Sequence, residues 1–149
     1  MDDKDLAILR HMQADARTTA EAIGQRVGLS QAAVQKRLQR LREQGVIEKE
    51  VAVLSPNKLG RAVTVLVQVS LHHEDLAHLE AFKHHMRQAP EVQQCYYTTG
   101  EADFMLIVVV ADMAAYEAFT QQHFFSNANV ARFQSSVVMD RVKVTLDVC

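Results

Sequence analysis

Leu6, Ile8, Leu9 and Met12 recur at helical spacing just after the acidic Asp2, Asp3 and Asp5. Residues 4–14 therefore read as an amphipathic helix whose acids favour its N-terminus. Thr18-Thr19-Ala20-Glu21 fits a capping box from Thr18 to Glu21, and Ala22, Ile23 and Val27 form the apolar side of a second short helix that Gly28 ends. Gly28-Leu29-Ser30 makes a tight connection in which Gly takes positive φ, Leu29 plugs the corner and Ser30 caps the next helix. That third helix runs from Gln31 to Gln44, buries Val34, Leu38 and Leu41, and stops at Gly45. After it, Val46-Ile47 and Val51-Ala52-Val53-Leu54 flank a charged tip, the pattern of a short hairpin or wing, and Ser55-Pro56-Asn57-Lys58-Leu59-Gly60 is rich in turn formers and divides the chain.

From Arg61 the period changes to two. Val63, Val65, Val67, Val69 and Leu71 alternate as a strand with one buried face. Glu74 to Ala89, with Leu76, Leu79, Phe82, Met86 and Ala89 on one side, is a helix stopped before Pro90. Val92 to Thr99 reads as a strand, Gly100 to Asp103 as a turn, and Phe104 to Val110 as a strand apolar on both faces. Asp112 caps a helix through Phe125, and Phe133 to Val148 closes the pattern with Val142, Val144, Leu146 and Val148 alternating with polar residues. The expected fold class is α+β: a helix-turn-helix, winged-helix-like domain over residues 1–60 and a ferredoxin-like βαββαβ domain over residues 61–149. In that arrangement both helices cover one sheet face, so a second copy of the domain is the economical cover for the other, giving a homodimer.

Length agrees with this division, since 149 residues make one ordinary domain or two small ones. Net charge is −2, but residues 1–60 carry +2 and residues 61–149 carry −4, and from Ala22 to Arg42 there are five basic residues and no acid. Double-stranded DNA is the expected partner of that segment. With the apolar stripe inward, Ala32, Lys36, Gln39 and Arg40 lie opposite, flanked by Gln31 and Gln35 near the helix start, where recognition helices meet base edges. Gln bonds adenine, Ala touches a thymine methyl and Lys reaches guanine; Ser30 caps the helix, while Arg26, Arg40 and Arg42 suit phosphates. A solvated basic face on a small bundle is the blander reading of the same residues.

Two cysteines, Cys95 and Cys149, lack C-x-x-C spacing, and Cys95 is expected to be a buried, inert thiol. With no apolar run near 20 residues and an acidic start, the expected location is the cytoplasm. His78 lies six and seven residues from His84 and His85, too far for a chelate on one helical turn; no metal site and no cofactor are expected, and the histidines are taken as exposed. The chain holds no Ser-His-Asp or Cys-His pattern, phosphate loop or paired-carboxylate signature, which weighs against an enzyme. A small-molecule enzyme on a dimeric ferredoxin-like fold and a DNA-architectural protein that senses nothing are the competing readings.

Several segments, in order, resemble the Lrp/AsnC (feast/famine) family of transcription regulators over essentially the whole chain. They are Asp5-Leu6-Ala7-Ile8-Leu9; Val27-Gly28-Leu29-Ser30 with Val34, Arg37, Leu38, Arg40, Leu41 and Gly45-Val46-Ile47 after it; then Gly100-x-x-Asp103, Ala111-Asp112-Met113-x-x-Tyr116 and Val137-Val138-Met139. The resemblance implies a DNA reader, an effector-sensing αβ domain, dimers that often assemble into octamers, and control by a small effector, commonly an amino acid. It carries the effector contacts, where dimers meet, onto Gly100, Glu101, Ala102 and Asp103, onto Met113 and Phe125, and onto Ser136, Val137 and Val138. An amino acid's ammonium needs a carboxylate such as Asp103, and its α-carboxylate suits the N–H groups of a glycine turn. The same turn also reads as a plain hairpin in which Gly100 supplies positive φ and Asp103 bonds the turn. The family's turn often reads Gly-Asp-aromatic-Asp where this chain has Gly-Glu-Ala-Asp, and Ser30-Gln31 replaces a frequent Ser-Pro.

Overall fold

In the computed structural model, which describes residues 1–149, Asp2 starts the first helix, α1 (Asp3–Ala14), through a capping box. Its carboxylate accepts the Asp5 N–H at 2.8 Å and the Asp5 carboxylate accepts the Asp2 N–H at 2.9 Å. The second helix, α2 (Ala20–Val27), is capped by Thr19 rather than Thr18, because the Thr18 hydroxyl donates to the Asp15 carbonyl and leaves Thr19 to accept from Ala22. Gly28 ends α2 at φ +69°, and Ser30 caps the third helix, α3 (Gln31–Glu43), one residue shorter than its expected span. Ile8, Met12, Ile23, Val27, Val34 and Leu38 close one small core. The Lys4 ammonium donates to the Val27 carbonyl, tying α1 to the C-terminus of α2.

Gly24, inside α2, lies against the turn. A Cβ there would stand 2.5 Å from the Leu29 carbonyl oxygen, and the Leu29 N–H donates to the Gly24 carbonyl at 3.0 Å. Beyond Gly45 no hairpin forms: residues 48–54 make no ladder, and Val51, Val53 and Leu54 are exposed. An isolated two-stranded hairpin with nothing packed on it is marginal in water, which accounts for the missing wing.

The second unit is a four-stranded sheet of order β2-β3-β1-β4, all neighbours antiparallel, formed by β1 (Val63–Leu71), β2 (Val92–Tyr97), β3 (Phe104–Val110) and β4 (Val130–Val137). Val65, Val67 and Val69 of β1 are fully buried, each contributing roughly 1.5–3 kcal/mol of burial. They share one face with Phe104, Leu106 and Val108 of β3, where α4 (Leu76–Gln88) contributes Leu79, Phe82 and Met86 and α5 (Met113–Thr120) contributes Tyr116 and Phe119. Asp75 caps α4, which begins two residues after the expected start, so Leu76 falls in the first turn and is exposed rather than inward. α5 does not run to Phe125 as an α-helix; Gln121–Phe125 widens into a π turn that buries His123 and Phe124.

β4 begins earlier and ends far earlier than expected. Its partner explains this: Val137 pairs with Val65 and the Val138 N–H reaches the Thr64 carbonyl, so only Val63 and Thr64 of β1 remain, too few to pair with a strand running to Val148. Val142, Val144, Leu146 and Val148 are exposed. The chain divides into one unit of residues Met1–Val53 with Lys143–Cys149 and another of Leu54–Val142. Within the first, the Gln13 amide donates to the Cys149 carbonyl at 2.8 Å and accepts the Val148 N–H at 2.7 Å. No helix is long and apolar enough to cross a membrane.

Candidate nucleic-acid interface and effector surface

α3 turns Val34, Leu38 and Leu41 inward and leaves Gln31, Ala32, Gln35, Lys36, Gln39 and Arg40 exposed. Apart from Arg26, which is on α2, each group proposed to read or grip DNA lies on this helix or caps it, but their bonding states differ. Gln31, Ala32 and Gln35 are open to solvent, and Lys36 is exposed and makes no ion pair. Ser30 accepts the Ala33 N–H at 3.2 Å as the cap. Arg26 stands 3.4 Å from the His11 ring nitrogen. Arg42 holds the Glu50 carboxylate through two donors at 2.9 and 2.7 Å, so its fork already carries an anion before any phosphate arrives.

Arg37 and Arg40 converge on α1. The Arg37 Nη1 donates to Asp2 at 2.8 Å and to Asp5 at 2.7 Å, and the Arg40 Nη2 donates to Asp5 at 2.7 Å. The Arg37 hydrogen bond, with the Asp5 N–H, brings the Asp2 carboxyl down to about 2. Burial alone would raise the Asp5 carboxyl, which is 1 % exposed, but the Asp2 N–H, Arg37 and the charge of Arg40 outweigh it and hold it below its ordinary value. In return the hydrogen bonds to Asp2 and Asp5 push Arg37 up. This pairing is invisible in sequence spacing, because Asp5 and its arginines are 32 and 35 residues apart and the acid also fits a plain helix start.

In the other unit, Gly100 takes φ +112° at the tip of the β2–β3 turn. The Asp103 carboxylate accepts the Leu71 N–H at 2.7 Å, its own N–H donates to Val69 at 3.0 Å, and the Ser70 hydroxyl reaches Glu101 at 3.4 Å. Asp103 thus performs the hairpin role, fastening the turn to the end of β1, while Glu101 is exposed and Ala102 partly covered. Phe125, exposed at 73 %, sets its ring edge-on to Phe133, which pairs with Val69 at this same end. Ser136, Val137 and Val138 lie beside Leu66, Val65 and Thr64, and half-exposed Met113 comes after β3 where Val110 pairs with Val63. Along β1 the distance to Val69 is about 10 Å from Leu66, beside Ser136, and about 17 Å from Thr64, beside Val138, at ~3.3 Å per residue, so one protomer presents the nine expected effector residues as two separate groups.

Cys95 is exposed on edge strand β2 rather than buried, with partial desolvation pushing its thiol up. His72, His73, His78, His84 and His85 are exposed as expected. His11 is partly covered and His123 is buried at 4 % exposed: its Nδ1 meets His85 Nε2 at 2.8 Å and its Nε2 lies 3.9 Å from a Glu91 oxygen, both of these latter atoms lacking a hydrogen-bond partner. Burial, then the nearby His85, lowers its pKa against the opposing pull of Glu91.

Residues 1–42 match the AsnC-type helix-turn-helix domain and residues 64–148 match the Lrp/AsnC ligand binding domain. The chain belongs to the Lrp/AsnC family. It is 46 % identical over 148 residues, 99 % of its length and 88 % of the relative's, to an uncharacterized HTH-type transcriptional regulator of Sinorhizobium fredii. The crystal structure of an AsnC family transcriptional regulator from Agrobacterium tumefaciens superposes with a TM-score of 0.94 at 33 % identity, covering 100 % of this chain and 97 % of that one. A transcriptional regulator of Neisseria meningitidis solved as an L-Met complex gives the same TM-score at 30 % identity, covering 100 % and 96 %. As an Lrp/AsnC protein, the chain is a helix-turn-helix transcriptional regulator and not an enzyme.

Proposed function

We propose that this Lrp/AsnC regulator reads duplex DNA with α3 as a homodimer, assembling further to an octamer in the cytoplasm, and that an amino acid bound between subunits alters the assembly. Residues 1–60 serve the reading and residues 61–149 the sensing, although Lys143–Cys149 pack with the reading unit. The observation that carries the DNA assignment is the exposed row Gln31, Ala32, Gln35 and Lys36 over the buried Val34, Leu38 and Leu41. Gln31, Ala32, Gln35 and Lys36 meet base edges, Ser30 holds the helix start, and Arg26, Arg40 and Arg42 meet phosphates, Arg42 only by leaving Glu50.

Dimerisation is supported by the sheet face opposite the helices, where Leu66 is 41 % and Tyr96 52 % exposed beside the partly covered Met105 and Ile107. Two copies place two α3 helices on half-sites about 34–36 Å apart. The effector reading rests on the separation of its residues. Gly100, Glu101, Ala102, Asp103 and Phe125 from one subunit enclose a ligand together with Met113, Ser136, Val137 and Val138 from another, since the two groups lie about 10–17 Å apart along β1 within one protomer. With Asp103 holding Leu71, Glu101 offers the free carboxylate for the ligand's ammonium.

The test is a thermal-shift panel of the common amino acids, L-Met included, with light scattering and mobility shifts on duplexes selected from a random library. An amino acid that raises the melting temperature and changes both assembly and DNA retardation supports the reading. Retardation unaffected by every amino acid leaves a DNA-architectural protein and overturns the sensing role.

A further inference from the structure

We propose that Asp5, which lies outside the reading helix, is a positioning residue for sequence discrimination: its carboxylate sets the rotation and register of α3 and aims Arg40 at DNA. The inference rests on α3 being the DNA reader. Arg37 and Arg40 are three residues apart and so share one face of α3. Both guanidinium groups end on one carboxylate rooted in α1, Arg37 on Oδ1 and Arg40 on Oδ2, each at 2.7 Å. Oδ2 also accepts the Asp2 N–H at 2.9 Å, which fixes the carboxylate itself in the capping box. Turning α3 by one residue, ~100°, or sliding it by ~1.5 Å breaks both arginine bonds at once. An apolar stripe alone tolerates small slides; a two-pronged hydrogen bond to a buried anion does not.

The two arginines differ in what they have left to give. The Arg37 side chain is 25 % exposed and satisfies both Asp2 and Asp5. The Arg40 side chain is 48 % exposed and uses Nη2 on Asp5. Of the five N–H donors in a guanidinium, that leaves Arg40 several for a phosphate while its plane is held from behind. Pre-ordering of this kind lowers the side-chain entropy lost on binding. Asp5 also cancels positive charge beside the interface, so removing its charge strengthens the sequence-independent attraction to any duplex while loosening the geometry that discriminates among duplexes. Those opposed effects separate positioning from simple structural support.

The experiment compares full-length wild type with Asp5→Asn, Asp5→Glu and Arg40→Lys, each first checked for native circular dichroism and melting. Affinities are measured across a salt series for a duplex selected from a random library by the wild-type protein and for a scrambled duplex of the same composition. Asp5→Asn is expected to bind the scrambled duplex at least as tightly as wild type, while the ratio of selected to scrambled affinity falls about tenfold, the scale of one mismatched base pair. Asp5→Glu and Arg40→Lys, which preserve charge, are expected to lower that ratio with an unchanged salt slope. Should Asp5→Asn fail to fold, these two variants carry the test. Ratios equal to wild type in the folded variants, or parallel losses on both duplexes that track lost stability, overturn the positioning role. If wild type enriches no sequence, the α3 assignment fails and this inference falls with it.

Discussion

Replacing Gly24 by alanine sets two physical effects against each other within one methyl group. In the interior of a helix alanine is favoured over glycine by about 1 kcal/mol, so propensity alone forecasts a more stable protein. The added carbon would stand 2.5 Å from the Leu29 carbonyl oxygen and 3.5 and 3.6 Å from the Leu29 and Ser30 carbonyl carbons. Reaching an ordinary carbon–oxygen contact of about 3.3 Å requires the turn to retreat by roughly 0.8 Å. That turn is backbone with little room to give: it holds the Leu29 to Gly24 hydrogen bond at 3.0 Å and delivers the Ser30 cap to α3 at 3.2 Å. Overpacking costs about 1–3 kcal/mol and a weakened cap about 1 kcal/mol. With the propensity gain subtracted, Gly24→Ala is expected to destabilise the DNA-reading unit by about 1–3 kcal/mol. At about 4–8 °C per kcal/mol in a domain of this size, the unit's calorimetric transition drops by roughly 5–20 °C. DNA affinity falls as well, because α3 moves with its cap. Gly45→Ala is the control: nothing lies within 4 Å, so only the left-handed backbone at φ +71° opposes it, and DNA binding at a temperature where it is folded stays near wild type. A Gly24→Ala protein melting at or above wild type refutes the close-approach argument and leaves propensity in command.

Lys36→Ala is expected to lower the preference for a selected over a scrambled duplex, and Arg40→Ala to weaken binding to every duplex and reduce the salt slope by about 1, whereas Arg42→Ala, which also frees Glu50, acts less simply; a Lys36→Ala preference equal to wild type removes that residue from base readout. Asp103→Ala leaves the Leu71 N–H without its acceptor and is expected to cost about 1–3 kcal/mol, while Asp103→Asn keeps the acceptor and most of the stability; equal melting curves for the two contradict the assigned hydrogen bond. Folding lowers the pH at which His123 takes up a proton, through burial and then the neighbouring His85 from α4, against the opposing pull of Glu91 ahead of β2. The unfolded chain takes up a proton near pH 6.5 that the folded chain does not, so stability contributed by the buried ring is full above that pH and declines as pH falls toward the lowered folded value. His123→Phe is expected to flatten the melting-temperature profile between pH 5 and 7, and parallel profiles refute the linkage.

Much of this architecture is written in local periodicity. The alternation of Val65, Val67 and Val69 names the central strand and its buried face, and Gly28-Leu29-Ser30 marks the turn of the DNA reader, because both depend on neighbours a few residues away. What escapes is set by partners distant in sequence. The alternation from Val142 to Val148 looks like a strand, yet β1 has run out before it begins. Asp5 reads as a helix-start acid and is one, but its arginines lie across the fold. Gly24 is an undistinguished helical glycine until the Leu29 carbonyl is placed against it. The nine residues proposed to hold an effector are individually recognisable in sequence, while their division into two groups appears only once strand register is known.

The hydrogen bonds from Gln13 to Val148 and Cys149 bear on how the polypeptide is made. That seam joins positions 136 residues apart, so during synthesis α1 to α3 emerge from the ribosome long before their last stitch is available. A nascent chain thus carries a DNA-reading fragment still missing one strap, and premature termination anywhere after β4 yields a complete sensory sheet attached to an unfinished reader.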